Sequence, residues 1–432
     1  MTPWQPTPAL LRSIAVAVVP IAIALIWRRP DLLVIAAPFA VVTGWSALTR
    51  PTASPSFVDA VGHPTLREGD ATVWRGAVEG AAGRSADVDL AVAVIDHDAW
   101  IETRPDCGVA TAPGDDGGAS LEVALRSTRW GVRTIEHVQV GAMSPWAAYR
   151  CWTVTPPRSV ATLPVPGPFD VGSSPRPQDG LVGLHRSTRA GDGNEFAGLR
   201  AFRAGDRMRR INWPRSIRVG ELQVNGTWAD LDTHVALMVD ATDDLGISEG
   251  IDGRASSLDV TVRAAGAIAE HYATRGERVS MATFGGRISQ SVPPASGRAQ
   301  LRRVLDQMAR IQPGGAAGAA RAARLAVRQS SGSRMTVLLS PLISPEVLDE
   351  AVSLGRRGMS VVVIDTLPEH VIDHDDPLTA IAWRIRLLER RREIRMVSSS
   401  GIPVVRWRGP GSLDQVIRDI ARRTTGPRLV RR

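Results

Sequence analysis

Two uncharged apolar stretches near the amino end constrain this chain more than any other feature. Ser13–Trp27 reads S-I-A-V-A-V-V-P-I-A-I-A-L-I-W, Arg28-Arg29-Pro30-Asp31 interrupts it, and Leu32–Leu48 is a second run without charge. As helices rising about 1.5 Å per residue the two runs extend roughly 23–27 Å, close to the ~30 Å hydrocarbon core of a bilayer. A cleaved signal peptide has a small-residue cleavage site after its apolar run, whereas here a second run follows directly. Arg12 and Arg50 flank the pair at positions from which long side chains reach headgroups, and Trp4, Trp27 and Trp45 stand near the run ends as interfacial anchors. The expectation is a transmembrane helical hairpin over 1–50, a two-helix, multi-pass anchor in the cell membrane. Charge alone orients it poorly: Arg28 and Arg29 favour a cytoplasmic connector, while Arg12, Arg50, Arg67 and Arg75 pull the other way.

Beyond the anchor, apolar positions alternate with polar ones in short runs. These are 71–78 (A-T-V-W-R-G-A-V), 88–95 (V-D-L-A-V-A-V-I), 121–125 (L-E-V-A-L) and 134–140 (T-I-E-H-V-Q-V), broken by clusters such as P-G-D-D-G-G at 113–118. Period-two patterning with turn residues between runs predicts a small all-β sandwich over 51–157, immunoglobulin-like in plan. His97 lies in D-H-D at 96–98 and is read as a turn rather than a metal ligand. The only cysteines, Cys107 and Cys151, lack CxxC spacing and are read as free thiols. Residues 158–192 are rich in Pro, Gly and Ser and read as a semi-extended linker.

From 233 to 432 the period changes. Strand candidates Val235–Val239, Arg278–Phe284, Met335–Leu339, Val361–Ile364 and Pro403–Trp407 alternate with helix candidates Ser256–Arg275, Ala299–Ile311, Ala319–Arg328, Glu346–Arg357, Leu378–Arg395 and Ser412–Arg423. Strands separated by helices of ten or more residues require crossovers, and so a mainly parallel, doubly wound, Rossmann-like α/β sheet.

Composition narrows function. All 52 basic residues are arginine, and the net charge is +8. With the abundant Ala, Gly, Pro and Val, this matches GC-rich bacterial coding of the actinobacterial kind. Without lysine there is no G-x-x-x-x-G-K-[ST] phosphate loop, so the chain itself is not expected to hydrolyse ATP. No G-x-S-x-G nucleophile elbow, H-E-x-x-H motif or Cys/His pairing is expected in it, and the chain is read as a non-enzyme. His185 and His234 are read as structural.

The most distinctive segment, 193–232, begins G-N-E-F-A-G-L-R-A-F-R-A-G-D-R-M-R-R-I-N-W-P-R-S-I-R-V-G-E-L. Gly205-Asp206 suits a turn, Asp206 can accept a forked guanidinium, and Trp213 offers a face for arginine stacking. Together with Arg210, Asp206 and Trp213 are expected to form a structural hub. The segment resembles the domain-of-unknown-function 58 (DUF58) family, through Gly193, Glu195, Phe196, Leu199, Arg200, Phe202, Gly205, Asp206, Arg209 or Arg210, Ile211, Asn212, Trp213, Ser216, Arg218 and Leu222. The resemblance implies the same overall order of parts, with the α/β domain von Willebrand factor A-like. It also implies a partner, a MoxR-type AAA+ ATPase acting in complex assembly or maturation, and hence a cytoplasmic placement of the globular part.

Domains of that kind bind a divalent cation through D-x-S-x-S and distant oxygen ligands. Here the corner reads D-A-T-D-D, Asp240–Asp244, and the later strand ends in Ser340-Pro341. The metal site is therefore expected to be degenerate, with Asp240, Thr242 and Asp244 holding Mg2+ or Ca2+ weakly at most and no other cofactor. The function expected is a membrane-anchored protein-binding scaffold that contacts membrane lipid. The alternative is a nucleic-acid or anionic-lipid binder using the 200–218 arginines or the basic stretch 384–395, whose Glu389 and Glu393 read as partners on a solvated, salt-bridged face. No nucleic acid is expected.

Overall fold

The computed structural model describes residues 2–79, 88–114, 118–165, 190–203, 206, 208–228, 234–314, 335–369, 371 and 376–408, without the side chains of 190–197, 209, 227 and 228. The expected helices Ala319–Arg328 and Ser412–Arg423 and the residue His185 lie outside the described residues. The protein is a mixed α/β, multidomain chain with several β-sheets and two compact units. One comprises Met1–Val165 with Ser248–Ala255 and Met308–Arg310; the other comprises Pro166–Ile247, Ser256–Gln307 and Ile311–Arg432.

The first unit opens with helices α1 (Pro8–Trp27) and α2 (Leu32–Leu48). α1 starts five residues before the uncharged run because Thr7 caps it, its side chain accepting from the Leu10 amide, and Pro8 suits the first turn. Its 20 residues give a length of about 30 Å, and it is long and apolar enough to cross a membrane. α2, at 17 residues, is shorter. The two helices pack together, with the Ser13 and Thr43 hydroxyls 2.9 Å apart between them.

The β-rich part holds more strands than the sequence pattern suggests. One sheet runs β2 (Ser56–Val61), β4 (Ala71–Glu79), β8 (Gly118–Ser127), β6 (Ile101–Arg104). A second runs β1 (Gln5–Pro6), β11 (Tyr149–Val154), β10 (His137–Met143), β5 (Leu90–Asp96), β7 (Val109–Pro113). A third joins β3 (Thr65–Arg67), β12 (Arg158–Leu163) and β9 (Gly131–Ile135), with β3 and β12 parallel. Alternate residues from all three sheets, among them Trp74, Leu121, Ala93, Val138, Cys151, Ile135 and Val160, meet in one hydrophobic core. The parallel pairing and the third sheet depart from the two-sheet antiparallel plan expected. The run 134–140 is two strands, divided at Glu136.

The stretch Arg158–Leu163, expected as linker, is the strand β12, because its alternation V-A-T-L buries Val160 and Thr162 between β3 and β9. The boundary at 50/51 does not separate compact units: β1 pairs with β11, and Thr7 N donates to Ala148 O at 2.9 Å. Trp4, expected as an interfacial anchor, is buried at 7% exposure with its indole N–H on the Ala53 carbonyl at 2.8 Å. Trp27 and Trp45 are exposed. Cys107 and Cys151 are both free; burial pushes the Cys151 thiol up to about 11.

In the second unit, β13 (Ala190–Ala201) and β14 (Gln223–Trp228) pair antiparallel, enclosing a short helix α3 (Trp213–Val219). The remaining strands form a six-stranded sheet in the order β17 (Ser291–Ala295), β16 (Arg278–Phe284), β15 (His234–Asp240), β18 (Met335–Ser340), β19 (Val361–Asp365), β20 (Val404–Arg406). All neighbours are parallel except β17, an antiparallel edge strand whose Pro293-Pro294 the sequence reading passed over. Every residue of β15 is buried, as a central parallel strand covered on both faces requires. Helices α4 (Ser257–Thr274), α5 (Gly297–Met308), α6 (Pro345–Arg356) and α7 (Pro377–Ser399) make the connections. Met238, Leu338 and Val363 pack against Val347, Leu348, Ala351 and Leu354 of α6 and Val397 of α7.

Candidate functional site

Two places in the second unit gather the residues singled out by sequence, and the first is the β13–β14 hairpin. Arg200 pairs across it with Val224, and its Nη1 and Nη2 donate to Asp206 at 2.7 and 2.6 Å. Asp206 also accepts from the Arg203 amide at 2.8 Å, closing the turn. The forked guanidinium and that amide hold the Asp206 carboxyl down to about 2. Gly205 lies outside the described residues, and Glu195 and Phe196 are placed only as backbone within β13.

Asn212 and Ser216 fasten the rest. The Asn212 side chain accepts from Arg215 N and so caps α3, while its amide group donates to Asn225 Oδ1 at 3.1 Å. Buried Ser216 donates to the Asn212 carbonyl at 2.7 Å and accepts from Gln223 N at 2.8 Å, which ties the helix to β14. Gly220, at φ +79°, ends the helix in the left-handed conformation that glycine adopts without strain. These polar residues are therefore the frame, and what they display is apolar. Met208, Trp213, Ile217, Val219 and Leu222 are exposed, with Arg218 beside them in the last turn of α3. The expected hub of Asp206, Arg210 and Trp213 takes a different shape: the guanidinium on Asp206 is that of Arg200, and Trp213 faces solvent. Among the described residues, guanidinium-over-ring contacts occur on Trp100, Trp130 and Tyr149 instead.

The second place is the carboxyl end of the parallel sheet. The strand order reverses between the parallel neighbours β15 and β18, since β16 lies on one side of β15 and β18 on the other, and such a switch point opens a crevice at the strand ends. Asp240 closes β15 there, buried at 3% exposure. One of its oxygens accepts from Thr242 N at 2.9 Å and the other from Ser340 Oγ, at the end of β18, at 2.6 Å. Burial pushes the Asp240 carboxyl upward, against the pull of those hydrogen bonds. Thr242 is buried beside Asp240. Asp244 is turned to the start of α4, where Oδ1 accepts from Leu258 N at 3.1 Å, and Asp243 accepts from Ser344 Oγ at 3.0 Å. A divalent cation here would meet one buried carboxylate and two hydroxyls, a donor set with little charge. Among the described residues no three His, Cys, Asp or Glu side chains gather as metal ligands.

The sequence reading missed the adjoining half of this edge. Asp365 ends β19 and pairs with Arg390 of α7, both nearly buried; Arg390 Nε also donates to the Pro341 carbonyl at 2.9 Å. Thr366 and Thr261 share a buried hydroxyl contact at 2.6 Å. The available signal was the repetition of V-D, L-S and I-D at successive strand ends. Arg390 was hidden in the R-R-R run, which corrects the solvated-face expectation for 384–395: Arg386 does pair with Glu389 and Glu393, but it also donates to the Ile343 carbonyl, and Arg390 points inward. The chain also spells G-x-S-x-G at Gly246–Gly250, which corrects the expectation that this pattern is absent. Ser248 is buried in the loop after β15, not on a strand-to-helix elbow, and accepts from the Gly250 amide. His234 is buried against Ser280 Oγ at 2.8 Å, with burial lowering its pKa.

Comparison with known proteins bears on the hairpin and the sheet together. A family profile described as "Protein of unknown function DUF58" matches residues 198–393. No curated protein matches the chain. Solved structures similar in part include a cohesin module from a Clostridium perfringens family 33 glycoside hydrolase (12% identity, 26% of this chain and 99% of that one, TM-score 0.21). Others are AggA, the major subunit of aggregative adherence fimbriae type I from Escherichia coli (8%, 25% and 93%, TM-score 0.17), and an uncharacterized membrane-spanning protein from Vibrio fischeri (15%, 44% and 96%, TM-score 0.18). Scores this low carry no structural argument.

Proposed function

We propose that this chain is a membrane-anchored scaffold that binds another protein through the display face of its β13–β14 hairpin. The observation that carries the reading is the exposure of Met208, Trp213, Ile217 and Leu222 on a frame held rigid by Asn212, Ser216 and the Arg200–Asp206 fork. Aromatic residues, Met and Arg are enriched at the centres of protein interfaces, and exposed apolar patches rimmed by polar residues mark interaction sites. The partner proposed is a MoxR-type AAA+ ATPase engaged in assembly or maturation of complexes, which would supply the ATP hydrolysis this lysine-free chain lacks. α1 and α2 form the two-span anchor in this reading, the globular part is cytoplasmic, and the parallel sheet is von Willebrand factor A-like. It works by binding rather than catalysis, and without a resident metal.

The test is affinity purification of the full chain in mild detergent, scored for a co-purifying AAA+ ATPase. The intact protein should retain it, and Trp213→Ala/Ile217→Ser should lose at least about tenfold of it, as hot-spot truncations of roughly 2 kcal/mol or more do. Both changes are on solvent-facing positions, so the circular dichroism spectrum should stay the same. Failure of any ATPase to co-purify with the intact chain sinks the assignment of the partner.

A further inference from the structure

We infer that the outward face of α7 docks on an anionic lipid surface. The helix is pinned in rotation by its inner side, where Arg390 holds Asp365 and the Pro341 carbonyl, Arg386 donates to the Ile343 carbonyl, and Val397 enters the core of the sheet. The opposite side carries Leu378, Ile381, Ile385, Leu388 and Met396, each more than half exposed. The first four recur at intervals of three, four and three residues, which places them in one line along the helix. Arg384, Arg391 and Arg395 fall together on one margin of that line, Arg392 continues it, and all four are exposed.

Charge selects the occupant. The helix holds six arginines against two glutamates, and both glutamates are engaged by Arg386. A second copy of α7 laid along the apolar line would set exposed arginines against arginines, with no acidic margin to meet them. A bilayer with anionic headgroups meets both features at once: the apolar line enters the acyl boundary and the arginines remain at headgroup depth. Each arginine near such a surface favours the docked state by about fivefold. The same chain carries a helix able to cross a membrane, so the local lipid concentration seen by α7 is high. An acidic protein surface would satisfy the arginines but gives no reason for four aliphatic side chains in line.

The experiment uses the full chain with Cys107→Ser, leaving the buried Cys151 in place, and a nitroxide on Ile385→Cys or Leu388→Cys. The chain is combined with vesicles of phosphatidylcholine, or of phosphatidylcholine mixed with phosphatidylglycerol, and collisions of the label with oxygen and with a water-soluble nickel complex are compared. The oxygen-to-nickel ratio should rise at both sites in the phosphatidylglycerol vesicles only. Arg384→Gln and Arg392→Gln should each lower the docked-to-free ratio about fivefold. An unchanged ratio in both lipids, an equal rise in both, or indifference to the arginine changes overturns the proposal, as does dipolar broadening that reports a second copy or protection that requires an added protein. No ATPase takes part in the readout, so this result and that of the scaffold test fail separately.

Discussion

At the scale of single residues, charges of this chain act in two regimes that sequence does not distinguish. Asp206 and Arg200 sit at the surface and owe their pairing to geometry, a fork closed over a turn. Because the Asp206 carboxyl is held down to about 2, below its ordinary value, the pair contributes fully above the usual carboxylate range and loses its contribution as pH falls toward 2. The difference in melting temperature between the native chain and Asp206→Asn should therefore be constant above about pH 5 and shrink as pH is lowered from there to about 3; a difference that grows on acidification contradicts the fork. Asp365 and Arg390 are the other regime, an ion pair nearly out of water. Arg390→Met strands a buried carboxylate and should cost about 3–5 kcal/mol in denaturant unfolding, most of it recovered in Arg390→Met/Asp365→Asn. Equal stabilities of the single and double variants would show that Asp365 finds water or another donor.

At the scale of elements, helix ends are set by caps that short sequence windows carry. α4 begins at Ser257 because Ser256 accepts from the Asp259 amide while Asp259 accepts from the Ser256 amide, a reciprocal box spelled S-S-L-D. Ser256→Ala should reduce stability by about 1 kcal/mol, read from the denaturation midpoint with an unchanged slope. Strand bounds are most legible in sequence where both faces are buried. Arg278–Phe284 runs as expected, and the edges of β15, β18 and β19 moved by one residue or none. The elements that escaped were pairings of low local signal. β12 lies in a Pro/Gly/Ser-rich context, β17 contains two prolines, and β1 is two residues long; each exists because a neighbouring strand supplies its partners.

At the scale of the whole molecule, a 20-residue apolar helix belongs to the first of two compact units. The intact chain is expected in the membrane fraction, released by detergent and not by high salt or carbonate; quantitative recovery in the aqueous fraction would remove the anchor from the account. The sequence by itself determined the apolar helices, the change from period-two to helical patterning, the parallel character of the sheet and the family resemblance of its motif, since periodicity, crossover length and motif spacing are local in the chain. Only the tertiary structure decided that Trp4 is core and not anchor, that Arg390 is inside and Trp213 outside, and that Ser340 completes the hydrogen bonding of Asp240. Those outcomes depend on which side chains arrive from 49 to 100 residues away, and burial, the quantity that decides whether a charge costs or stabilises, is a property of that arrival.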